Sequence, residues 1–252
     1  MSEQLKCILD RIDSKHLSKL WLFYRDYFPD DTSCLQFFYN ALRNEPERDA
    51  VINHLSNNEQ EQYQSDNRST ICDTDFIPRR MINEVERLVS AARDMEQIRC
   101  GKDIFKIVFL VTCAETLQNL IGNNDIKKNQ LFDFFEKYTN KTDKDYIASN
   151  FILEDENIVS HECSGFKCFI GIINEYRNCA VHEADYWGFC FNNREDGFPL
   201  LINLKINLEN FSQNNKKDHC FHTTISYKAF EKIFVRTCIH FIQDYMSNHY
   251  SM

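Results

Sequence analysis

Six glycines and four prolines in 252 residues leave this chain few places to turn sharply. A β-sandwich needs turn signals roughly every 8 to 12 residues, and Gly and Pro are the residues that most cheaply supply them. A chain this poor in both is expected to be all-α, mainly helical. The apolar residues agree, recurring at helical three- and four-residue intervals along most of the sequence. With 43% of residues hydrophobic, a full core can be buried by one large domain, or by one domain with a smaller attachment.

The periodicity divides the chain. Residues 3–55 carry short amphipathic stretches: Leu5, Ile8, Leu9 and Ile12, then Leu17, Leu20, Trp21, Tyr24 and Phe28, then Leu35, Phe38, Tyr39 and Leu42. Asp13 and Ser14 are candidate caps, and Pro29 followed by Asp30, Asp31 and Thr32 marks a stop and restart. Residues 1–55 are therefore expected to form a small helical bundle. Residues 56–75 are mostly Asn, Gln, Glu, Ser and Asp and can bury little, which predicts a linker and a domain boundary.

Residues 76–252 form the second domain. A helix is expected from Pro78 to about Arg99, burying Met81, Val85, Leu88, Val89 and Ala92. Another runs from Asp103 to Leu120 and ends at Gly122, a C-terminal cap. A third, Lys128 to Tyr138, is apolar on nearly all sides through Leu131, Phe132, Phe134 and Phe135. A fourth, Lys167 to Ala184, buries Phe169, Ile172, Ile173, Tyr176 and Ala180. Tyr186–Phe191 and Leu200–Leu208 read as a β-hairpin around a polar turn. The last helix, Ser226 to about Asn248, buries Phe230, Ile233, Phe234, Cys238, Phe241 and Ile242.

Charge and cysteines narrow the function. A formal charge of −9 argues against a protein that wraps nucleic acid, because such affinity comes from Lys and Arg neutralising phosphates; a confined positive cleft is still allowed. Eleven cysteines include no Cys-x-x-Cys pair, their number is odd, and no secretory signal precedes them, so a reducing cytoplasm is expected. A zinc site drawn from His161, Cys163, Cys168, Cys220 and His222 fits no usual ligand spacing, and no metal or other cofactor is expected. No apolar run reaches the roughly 18 to 20 residues of a membrane span.

One stretch carries chemistry. In Glu175-Tyr176-Arg177-Asn178-Cys179-Ala180-Val181-His182-Glu183, an Arg that stays charged at any working pH lies four residues before a His that titrates near neutrality. The pair suits metal-free RNA cleavage: the ribose 2′-hydroxyl attacks phosphorus, His182 moves a proton, and Arg177 stabilises charge on the phosphorane oxygens. The spacing alone is cheap, since Arg11 and His16 repeat it and Arg48 and His54 nearly do. Context distinguishes the third occurrence, which follows an aromatic helix and has a polar residue directly after the Arg. On an ideal helix Arg177 and His182 lie about 140° apart, whereas Asn178 and His182 are neighbours at i and i+4. Asn178 is thus expected to orient the His, with Glu115 and Glu183 supporting the Arg or the imidazole. A structural reading of the same residues is an ion pair and a helix-end His that complements the helix dipole.

Order and local wording across residues 104–248 resemble a HEPN domain: an apolar helix from Phe105 to Leu117, an aromatic helix from Leu131 to Tyr138, then Tyr176-Arg177-Asn178-Cys179-Ala180-Val181-His182-Glu183, similar to the Arg, polar residue, spacer, His signature of catalytic members. The resemblance implies a helical bundle, a homodimer that brings two motif helices together, and metal-independent endoribonuclease activity in toxin or antiviral-defence systems. Some members of that family are non-catalytic modules that bind a nucleotide or a protein partner, which is the alternative here. The aromatic residues Trp21, Phe23, Tyr24, Tyr27, Phe28, Phe37, Phe38 and Tyr39 are expected to form the N-terminal core and to leave some rings exposed, so that residues 1–55 dock a protein partner.

Overall fold

The computed structural model describes residues 14–42, 77–98, 103–122, 130–153, 165–183, 189–193, 200–206 and 217–249. The expected linker at 56–75, together with Arg11, Arg48 and His54, lies outside them. The described residues are mostly helical, with one small sheet, as the turn-poor composition requires. By its packing the chain divides into two units, residues 1–86 with 241–252 and residues 87–240.

In the first unit, α1 (Ser14–Tyr24) passes through a single 3-10 turn into α2 (Asp31–Leu42). The restart after Pro29 has a clear cause: both carboxylate oxygens of Asp30 accept from Ser33, one from its backbone N–H at 2.8 Å and one from its hydroxyl at 3.0 Å. This satisfies a donor that the first helical turn leaves unpaired. Tyr24, Phe37 and Phe38 are buried in a cluster of tilted and edge-on rings, and the Tyr24 hydroxyl donates to the Ile82 carbonyl at 2.9 Å. The expected exposed rings are absent here. Among the eight aromatic residues named above, four are buried and four half-buried, because a bundle this short needs nearly all its ring surface as core; Leu22 is the large apolar side chain that faces solvent in this stretch.

α3 (Ile77–Ile98) places Pro78 in its first turn, where a missing N–H costs nothing. Met81, Val85, Leu88, Val89 and Ala92 are buried as the periodicity predicts. α4 (Asp103–Leu120) ends at Gly122, whose φ of 75° is the left-handed conformation that glycine adopts without strain. α5 (Gln130–Tyr138) and α6 (Lys141–Asn150) follow, the latter capped by the Asn140 side chain accepting from the Asp143 N–H at 2.9 Å. Phe132, expected inside, is only half-buried, with the Lys167 ammonium 5.3 Å from its ring centre.

α7 (Gly165–Asn178) is the central helix of the second unit, touching α4, α5, α6 and β1. Its buried Phe169 meets Phe230 of α8 (Tyr227–His249) edge-on at 5.2 Å, and Phe230 stacks on Phe135 of α5 and on Phe191. This continuous aromatic core holds the motif helix.

The sheet corrects the expected hairpin. Its strands are β1 (Phe151–Leu153), β2 (Leu200–Ile206) and β3 (Lys217–Thr223), in the order β1-β3-β2 and antiparallel throughout. Residues 189–191, expected to pair with 200–208, are irregular. β2 pairs instead with β3, Ile202 opposite Phe221. The physical reason is burial: Phe189 and Phe191 both turn inward, which the alternation of a half-exposed strand would also give, but their side chains pack on helices α7 and α8 rather than on a neighbouring strand.

Candidate functional site

The site forms where α7 changes pitch. Asn178 is its last α-helical residue, and Cys179–Glu183 continue as a π-helical turn. Ala180 sits four residues after Tyr176 on the buried face, whereas Val181 and His182 face solvent. A π-turn closes its hydrogen bonds over five residues rather than four. Residues five apart within such a turn lie closer to one side of the helix than the 140° separation of a regular α-helix allows.

Arg177 is half-buried and held on two sides. Its Nη1 donates to Asn178 Oδ1 at 3.0 Å, and its Nη2 pairs with Glu115 Oε1 on α4. Burial lowers its pKa from the usual arginine value, yet a guanidinium stays charged at any physiological pH. Asn178 thus serves Arg177 rather than His182, contrary to the i, i+4 expectation, because the pitch change after Asn178 shifts the His round the helix. His182 is exposed and, among the described residues, its ring makes no hydrogen bond or ion pair. Glu115 is beside the Arg, one of the two partners the sequence left open to it. The side chain of Glu183 is not among those described.

The backbone at Phe191 is fixed by a buried charge cluster. Asp103, in the first turn of α4, gives one carboxylate oxygen to the Lys106 ammonium at 2.7 Å and the other to the Phe191 N–H at 2.7 Å. Lys106 also pairs with Glu96 and lies over the Tyr227 ring, 4.5 Å from its centre. Burial on its own would lower the Lys106 pKa, but hydrogen bonds to Asp103 and Glu96 outweigh it and the ammonium holds its proton more tightly than usual. Phe191 in turn packs against Phe189, whose ring lies 5.1 Å from that of Tyr176, the residue before Arg177. The signal in the sequence was an Asp and a Lys three apart on one face of an otherwise apolar helix.

Arg11 and His16, the competing occurrence of the spacing, cannot be compared, since Arg11 and the His16 side chain lie outside the described residues. Among the described residues no three His, Cys, Asp or Glu side chains come together as a metal site would need. Cys168, one of the zinc candidates, is buried within α7, while His161 and Cys163 fall outside the description. No described helix is long and apolar enough to cross a membrane. What the motif offers is a fixed, partly desolvated cation on α7 and, five residues on, an exposed imidazole. The chain matches no protein-family model, no curated protein and no solved structure.

Proposed function

We propose that this chain is a HEPN-like, metal-independent endoribonuclease, a toxin or antiviral-defence effector of a reducing cytoplasm. The observation that carries the reading is the widened turn at the end of α7, with Arg177 half-buried on one side of it and His182 open to solvent. His182 takes the proton from the ribose 2′-hydroxyl as that oxygen bonds to phosphorus. The P–O5′ bond breaks, leaving a 2′,3′-cyclic phosphate, and the leaving oxygen takes a proton from a second acid. One His serves poorly as base and acid in one step, so a homodimer through the motif helix supplies the partner subunit's His182. Arg177 meets the charge that builds on the phosphorane oxygens.

The Arg177–Glu115 ion pair favours a second reading, a non-catalytic module that binds a nucleotide or a protein partner, with residues 1–55 as recruiter. The two separate on one experiment: cellular RNA incubated with purified protein in excess EDTA, wild type beside Arg177→Ala and His182→Ala. Fragments ending in 2′,3′-cyclic phosphate with wild type alone are expected. Equal fragments from His182→Ala, or none from any form, would reject the nuclease.

A further inference from the structure

We infer that Glu115 is a gate on Arg177, a built-in counter-ion that an incoming phosphodiester must displace. The inference rests on the reading of Arg177 as the phosphate-binding cation. A guanidinium grips a phosphate through two parallel N–H donors on one edge of its plane. Here the Nη1–Nη2 edge already carries an internal partner on each nitrogen, Asn178 Oδ1 on the first and Glu115 Oε1 on the second. Asn178 is neutral and adjacent in sequence, so it can stay and keep the side chain aimed while a phosphate oxygen takes the place of Glu115 on Nη2. Glu115 is negative, comes from a different helix, and repels the anion the site is built to receive.

Exposure fits a removable partner. The Glu115 side chain is 38% exposed against 18% for Arg177, so an anion arriving from solvent meets the carboxylate first. A pair this close to solvent is weak enough to be exchanged for a phosphate, whereas a fully desolvated one is not. Glu115 is accordingly a positioning residue: it parks Arg177 between encounters and is absent from the transition state.

The test is binding of a short 2′-O-methyl oligoribonucleotide, which lacks the attacking hydroxyl and stays whole, to wild type, Glu115→Gln, Glu115→Ala, Arg177→Ala and the Glu115→Gln/Arg177→Ala double variant. Both single Glu115 variants are expected to bind about fivefold tighter than wild type, the gain shrinking with added salt. The gain should vanish when Arg177 is also removed, the mark of a coupled pair. Unchanged or weaker binding by both, with melting temperatures equal to wild type, overturns the gate. If that result comes with wild-type cleavage of ordinary RNA in EDTA, the nuclease reading survives without it. A gain with no cleavage by any form leaves the gate standing and removes the nuclease.

Discussion

His182 touches no described partner, so its removal should separate chemistry from stability. His182→Ala is expected to cut the cleavage rate by about 10²- to 10⁴-fold while thermal melting stays within about 0.5 kcal/mol of wild type; a lowered melting temperature with no loss of activity would make the residue structural. Cysteine chemistry is equally checkable. Burial, with Asp31 adding to it, pushes the Cys34 thiol up to about 12, and burial with a hydrogen bond to Cys113 raises that of Cys238. Peptide mapping after a brief native pulse of iodoacetamide at neutral pH should find Cys190, which is exposed, alkylated and Cys34, Cys113, Cys168 and Cys238 intact. At this scale the sequence named candidates for chemistry but not whom they face. Glu115 and Arg177 could be paired on charge alone, whereas Asn178 was given to the wrong neighbour because a helix of constant pitch was assumed, and a change from four- to five-residue closure leaves no mark in residue type.

Helices were legible because each is specified by residues three and four apart, and the buried faces of α3, α7 and α8 fall on the predicted positions. Strands were not, because their pairing is non-local. β3 is Lys-Asp-His-Cys-Phe-His-Thr, with little β-propensity of its own, and it becomes the central strand only because β1 and β2 flank it. Two predictions belong to elements. Gly165 opens α7 where a Cβ would stand 2.7 Å from the Ala148 carbonyl oxygen, 2.8 Å from that of Phe151 and 2.9 Å from the Ala148 Cα. All three are backbone atoms, so Gly165→Ala should lower stability by about 1–3 kcal/mol, read by thermal melting. The Asp30 cap holds its carboxyl below the usual value of 3.8, through the Ser33 N–H first and its hydroxyl second. The folded pKa lies under the unfolded one, so this stabilisation is present above the ordinary aspartate range and is lost as pH falls through the folded value. Asp30→Asn keeps an acceptor but not the titration, and its melting temperature should fall less than that of wild type on acidification.

For the whole molecule, charge sets the terms on which the proposed RNA substrate would be met. A chain at −9 that offers phosphate the half-buried Arg177 is expected to neutralise few phosphates, so the slope of log affinity against log salt should be no steeper than about −2, against the much steeper dependence of a wrapping protein; titrating the 2′-O-methyl oligoribonucleotide across a salt series checks it. The division of labour along the chain was only partly legible: the polar run at 56–75 drew attention, whereas the packing units end inside α3 and α8, where unbroken helical periodicity gives no sign of a boundary. The sheet has a further bearing on the motif. Phe151 lies opposite Thr223, so the excursion that contains α7 leaves and returns at adjacent points. Doubling the length of a closed loop costs only about 0.6 kcal/mol. The connections that close this excursion can therefore vary in length at little cost, while the packing of α7 and its π-turn on α4 holds the Arg–His turn in place.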